Sequence, residues 1–130
     1  MRNILFVSIV TIILTRVYCH ENSHNLTDRV LTKLELSEYD GTDTRRPILL
    51  AILGRVFDVT TGARHYGPGA PYAHFSGRDA TRAFDTGDFV GLGLTDDING
   101  LDDGSLEGLA GWLHFFESHE RYSYYGRVEG

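Results

Sequence analysis

Two tyrosines frame the loop Tyr66-Gly67-Pro68-Gly69-Ala70-Pro71-Tyr72, and a histidine stands close to each of them, His65 and His74. A phenol that has lost its proton is a hard, anionic oxygen ligand. It is one of the few side-chain groups able to bind haem iron axially. Imidazole is the commoner haem ligand, so His65 and His74 compete with the phenols for that role. The glycines and prolines between the tyrosines set backbone geometry, which suits a presented site better than a core. Gly77-Arg78-Asp79 follows and reads as structural, with Asp79 capping a helix and Arg78 pairing with a carboxylate.

Other chemistries are poorly supplied. No Gly-x-Ser-x-Gly, phosphate loop or zinc signature occurs. Asp85 and Asp88 make no convincing acid/base pair, so no catalytic residue is assigned and no enzyme is expected. Asp96, Asp97, Asp102 and Asp103 lack the alternating oxygens and closing Glu of a calcium loop, and read as a solvated stretch. A net charge of −6 argues against nucleic acid and anionic membranes as partners, because both need a basic surface.

The elements that must position the tyrosines are short. Val30, Leu31, Leu34, Leu36 and Tyr39 punctuate a mixed segment, and Ser37 to Gly41 reads as a short helix closing on Gly41. The apolar run Ile48–Leu53 and the segment Arg55–Val59 predict a tight hairpin around Gly54. Asp79–Phe84 reads as a short helix and Thr86-Gly87-Asp88 as its stop. Asp102 is a plausible N-cap for a helix to about Ser118, whose buried stripe is Leu106, Leu109, Ala110, Leu113 and Phe116. Trp112, like Phe116, is read as core, and His114 and His119 as surface. Tyr122–Val128, aromatic and β-branched, predicts a last strand with Tyr122 pointing inward. The expected architecture is small α+β, a few strands with short helices around one pocket.

At the front, residues 4–14 are almost unbroken apolar and follow Arg2, with Val17-Tyr18-Cys19 offering cleavage positions. That is the layout of a secretory signal peptide, and the run is too short to span a bilayer. The expected organisation is a signal peptide over 1–19, a flexible leader over 20–33 and one domain over 34–130. Cleavage would make the protein secreted and extracellular rather than integral to a membrane, and would remove Cys19, the single cysteine. The sequon Asn25-Leu26-Thr27 agrees with secretion.

Arg55-Val56-Phe57-Asp58-Val59-Thr60, Arg64-His65-Tyr66, Pro71-Tyr72, the run Phe75 to Phe84, Thr86-Gly87-Asp88, Trp112-Leu113 and Tyr125-Gly126-Arg127-Val128 together resemble the cytochrome b5-like haem/steroid-binding family. More narrowly, they resemble its membrane-associated progesterone receptor group. The resemblance runs from about Leu34 to the C-terminus. It implies a cytochrome b5-like α+β fold and a non-covalently bound b-type haem held between short helices. It implies Tyr72 as the iron ligand, with Tyr66, Arg121 and Tyr122 as further cofactor-binding residues, the last two on the propionate side. It also implies extracellular, neurotrophic-type signalling through a cell-surface receptor, with a haem-mediated dimer possible. A steroid or other apolar ligand, or a protein-interaction role without haem, is the alternative. The chain lacks the His-Pro-Gly-Gly motif of the electron-transfer members, carries Ala70 and Arg121 where relatives carry Gly and Lys, and stops at Gly130 where such chains continue.

Overall fold

The computed structural model describes residues 28–130. The expected signal peptide and residues 20–27 of the expected leader lie outside the described residues. Within them, a four-stranded sheet has the order β1-β4-β3-β2, with β1 Arg29–Leu31, β2 Leu49–Ile52, β3 Arg55–Asp58 and β4 Ser123–Val128. β1 runs parallel to β4; the β4–β3 and β3–β2 pairs are antiparallel. Four α-helices accompany it: α1 Lys33–Ser37, α2 Ala63–Tyr66, α3 Thr81–Thr86 and α4 Asp103–Ser118.

The hairpin forms as expected, with Leu49 opposite Asp58 and Ile52 opposite Arg55. Its two-residue turn places Leu53 at φ 51° and Gly54 at φ 76°. Both central residues at positive φ match the right-handed twist of the strands, which is why a glycine sits here. β2 is buried on both faces. Leu50 and Ile52 join Phe57, Val59, Tyr66, Phe75 and Phe116 in one cluster. Leu49 and Ala51 join Leu36, Val56 and Val128 in the other. That two-sided burial explains why Ile48–Leu53 is apolar throughout rather than alternating.

Three expectations need correction. The sheet begins inside the stretch expected to be leader, because Arg29–Leu31 pairs with residues 126–128. Thr32 then caps α1: its side chain accepts from the Glu35 N–H at 3.0 Å, and Glu35 answers on the Thr32 N–H at 2.7 Å. This capping box sets the helix at Lys33–Ser37 rather than at residues 37–41. Third, α4 has the expected cap, Asp102 accepting from the Ser105 N–H at 2.8 Å, but buries only Leu109 and Phe116 fully. Leu106 and Ala110 face solvent and Leu113 is half-buried.

Candidate functional site

The tyrosine loop is fixed by its own backbone. Gly67-Pro68-Gly69-Ala70 is a type II turn, with the Ala70 N–H donating to the Gly67 carbonyl at 3.0 Å and Gly69 at φ 77°. The Tyr72 N–H donates to the His65 carbonyl at 2.8 Å and closes the loop. The buried Ser76 hydroxyl donates to the Tyr66 carbonyl at 2.6 Å. Tyr66 and Tyr72 are thereby held with ring centres 6.3 Å apart.

The two tyrosines line a cleft of about 280 Å³ together with Phe75, Phe84, Phe89 and Trp112. α3 supplies one wall and α4 another. Phe84 stacks on Phe75 at 4.1 Å and meets Trp112 at 5.6 Å. Trp112, expected in the core, is 44% exposed because its ring forms this wall; Phe116, one turn on, is the core residue. Phe84 and Phe89 were not singled out from the sequence as site residues. The signal available was the pair of phenylalanines, Phe84 and Phe89, on either side of Thr86-Gly87-Asp88.

The tyrosines differ in environment. Tyr66 is buried, and burial, reinforced by the neighbouring Tyr122 and Tyr72 hydroxyls, pushes its pKa well above the usual phenol range. Tyr66 therefore remains a neutral phenol. Tyr72 is 45% exposed and lines the same cleft. Tyr122 lies with its ring 6.1 Å from Tyr66, packed inward as expected. It fits only because residue 62 is glycine: a Cβ there would stand 2.5 Å from the Tyr122 hydroxyl oxygen. Among the described residues no hydrogen bond engages the hydroxyl of Tyr66, Tyr72 or Tyr122.

Arg121 does not enter the aromatic cleft. It lines an adjoining open cavity of about 610 Å³ with Arg64, His65, His119 and Tyr122. The structure thus brings Tyr66 and Tyr72 together, places Tyr122 next to Tyr66, and sets Arg121 next door. His119, expected on the surface, is half-buried and stacked on Tyr122 at 4.0 Å. His74 is sandwiched by Phe89 at 4.2 Å and Phe75 at 4.4 Å. Its Nε2 is buried without a partner among the described residues, and burial, with Arg78 nearby, lowers its pKa. Asp79 stands one residue before the cap position, Ala80, which makes no side-chain cap bond; its carboxylate instead accepts from the Thr81 N–H at 3.1 Å, and Arg78 joins no ion pair among the described residues.

A family profile described as "Cytochrome b5-like Heme/Steroid binding domain" matches residues 32–101. The chain belongs to the cytochrome b5-like heme/steroid-binding family. It is 46% identical over 107 residues to a membrane-associated progesterone-binding protein 4 of Arabidopsis thaliana, covering 82% of this chain and 43% of that one. It is 48% identical over 102 residues to neuferricin of Mus musculus, covering 78% of this chain and 38% of that protein. The chain thus spans about two fifths of the length of these relatives. Among solved structures it is similar to an Arabidopsis thaliana protein described as having a cytochrome b5 like fold, with a TM-score of 0.70 and 38% identity, covering 80% of this chain and 94% of that one. The α+β fold expected from the sequence is therefore the fold of this family.

The residues of this cytochrome b5-like domain fit a haem. The cleft walls are aromatic, the Tyr66 and Tyr72 phenols line it with no hydrogen-bond partner among the described residues, and Tyr122 and guanidinium groups line the next cavity. Among the described residues no group of three or more His, Cys, Asp or Glu could hold a metal ion. A porphyrin brings four nitrogen ligands of its own and needs no such group. No helix among the described residues is long and apolar enough to cross a membrane.

Proposed function

We propose that the chain is a secreted haem-binding module in which the Tyr72 phenolate is the protein ligand to ferric iron. The observation that carries the proposal is the contrast between two neighbouring phenols. Burial keeps Tyr66 protonated, while Tyr72 stands half-exposed at the cleft with no partner for its oxygen among the described residues. The haem would supply a Lewis-acidic ferric centre, held non-covalently as a b-type group. Tyr72 would bind it, Tyr66 would serve as a hydrogen-bond donor, and Phe84 and Trp112 would cover the apolar macrocycle and exclude water. Tyr122 and Arg121, at and beyond the cleft edge, would face the propionates; a planar guanidinium fork suits carboxylates. An anionic oxygen ligand favours the ferric state and so disfavours rapid electron transfer.

This reading describes binding rather than catalysis. Extracellular signalling of a neurotrophic type, through a cell-surface receptor, is the physiological role it suggests, supported by the neuferricin likeness. A haem bound beside a half-exposed tyrosine leaves a face on which a second copy could stack. Secretion is tested by expression in animal cells: the medium should contain a chain beginning at His20, and retention of residues 1–19 would overturn it.

A steroid or other apolar ligand in the same cleft is the second reading, favoured by the aromatic walls and by the name of the Arabidopsis relative, a progesterone-binding protein. Parallel titrations with haemin and progesterone separate the two. Saturable growth of a Soret band at one equivalent supports the haem reading. Saturation by progesterone with no haemin response supports the second.

A further inference from the structure

The aromatic cleft is narrow for the ligand proposed for it. Its volume of about 280 Å³ lies just below the range of about 300–1,000 Å³ in which drug-sized ligands are held, and a porphyrin is larger than those. Iron stands at the centre of the macrocycle, so ligation by Tyr72 requires the ring to lie well into the cleft rather than meet it by an edge. One wall must therefore give way. Tyr66 and Phe75 are buried core residues. Phe84 and Trp112 stand on α3 and α4, and α3 is tied to the hairpin turn where the Thr81 hydroxyl accepts from the Leu53 N–H at 2.8 Å. Tyr72 is held through its N–H on the His65 carbonyl. Phe89 is the remaining aromatic of the wall, and it stands on the loop that follows α3.

That loop is arranged to move as one piece. α3 ends at Gly87, whose φ of 69° is left-handed, and Leu94 returns the chain to the core. Between them, the hydrogen bonds of residues 88–93 stay within residues 86–95. A Cβ on Gly93 would stand 2.3 Å from the Asp88 carbonyl oxygen, so the two ends of the loop lie against each other. Val90 and Leu92 are exposed. Phe89 supplies the loop's aromatic contacts with the body of the domain: its ring lies on His74 at 4.2 Å and beside Phe75 at 5.7 Å. Phe89 and Phe75 enclose the imidazole whose Nε2 has no partner among the described residues. A buried polar atom left unpaired costs free energy. Of the two enclosing rings only Phe89 is carried by a loop, so the closed stack bears a cost that displacement of Phe89 relieves.

We propose that Phe89 is the gate of the cleft: residues 88–93 swing about Gly87 to admit the ligand, and His74 is the positioning residue that sets how often the gate stands open. The inference rests on the haem reading for its ligand, but its first test needs none. Backbone relaxation dispersion on the haem-free full chain should find microsecond-to-millisecond exchange at residues 87–93 and at His74, and none at residues 82–85 of α3. His74→Phe keeps a stacking ring and removes the unpaired nitrogen, so it should hold the gate shut and quench that exchange. His74→Ala removes the stack and should shift the amides of residues 88–93 towards the open state. Stopped-flow mixing with haemin then reads the gate in use, because uptake through a minority state scales with its population. Association should slow about tenfold in His74→Phe, the weight of one unpaired buried polar group, and quicken severalfold in His74→Ala and in Phe89→Ala. A His74 that merely supported the fold would not give opposite responses to Phe and Ala, and unaltered amide spectra away from the loop show that each variant is folded. Flat dispersion profiles at residues 87–93 overturn the proposal, and so do equal haemin association rates in His74→Phe and His74→Ala. If no variant, wild type included, takes up haemin while the loop exchange responds to His74 as stated, the haem reading falls and the gate stands.

Discussion

Replacing Asp79 tests how the cleft wall on α3 is held. One carboxylate oxygen accepts from the Gly54 N–H at 2.9 Å; the other accepts from the Thr81 N–H at 3.1 Å and from the Thr81 hydroxyl. That hydroxyl oxygen in turn accepts from the Leu53 N–H at 2.8 Å. Asp79 and the buried Thr81 therefore tie the hairpin turn at residues 53–54 to the first turn of α3, which carries Phe84 to the cleft. Asp79→Ala strips two backbone donors of an ionised acceptor and frees the hydroxyl. Hydrogen bonds to charged groups are worth about 1.5–3 kcal/mol each, and partial access of water to the turn discounts that, so the loss should be about 2–4 kcal/mol. For a domain of about 100 residues this lowers the melting temperature by on the order of 10–20 °C. Asp79→Asn should recover less than half of the loss, because its amide NH2 must face one of the two N–H donors. Urea unfolding followed by circular dichroism measures both variants. An Asp79→Ala protein within about 0.5 kcal/mol of wild type, with an unchanged denaturant slope, refutes the reasoning.

The two aromatic positions on α4 should separate core from cleft. Phe116→Ala, at a fully buried ring contacting Phe57 at 5.6 Å and Phe84 at 5.8 Å, should cost about 3–5 kcal/mol. Trp112→Ala, half-exposed, should cost under about 1.5 kcal/mol while weakening ligand binding; the comparison is read by urea unfolding and haemin titration. Stability of the haem-free protein should begin to fall below about pH 6.5, the ordinary histidine value. His74 has a folded pKa lowered by burial and by Arg78. Its contribution is therefore fully present above the unfolded pKa and is lost as pH falls through the folded one. His74→Phe should flatten that limb of the pH–stability curve.

What the sequence disclosed follows from range. The 49–58 hairpin was legible because the apolar run, the glycine turn and the second strand are neighbours in the chain. β1 was not, because three residues become a strand only by meeting β4 almost a hundred residues away. The placement of α1 was misread although its signal was local: Thr32 and Glu35 stand at capping-box spacing. The tyrosine loop was recognisable from composition and resemblance, but periodicity misjudged α4. A helical stripe marks which residues share a face, not which of them are covered, and Trp112 and Leu106 face a cleft and solvent. His119 was read as surface, because its place beside Tyr122 depends on how the turn between α4 and β4 folds back.

The visible spectrum of the haemin-loaded full chain, taken for wild type, Tyr66→Phe and Tyr72→Phe side by side, tests the ligand assignment most directly. Wild type and Tyr66→Phe should both show the phenolate-to-iron charge-transfer band of a high-spin ferric site, and Tyr72→Phe should lack it. A band that survives in Tyr72→Phe, or disappears only in Tyr66→Phe, would contradict the account.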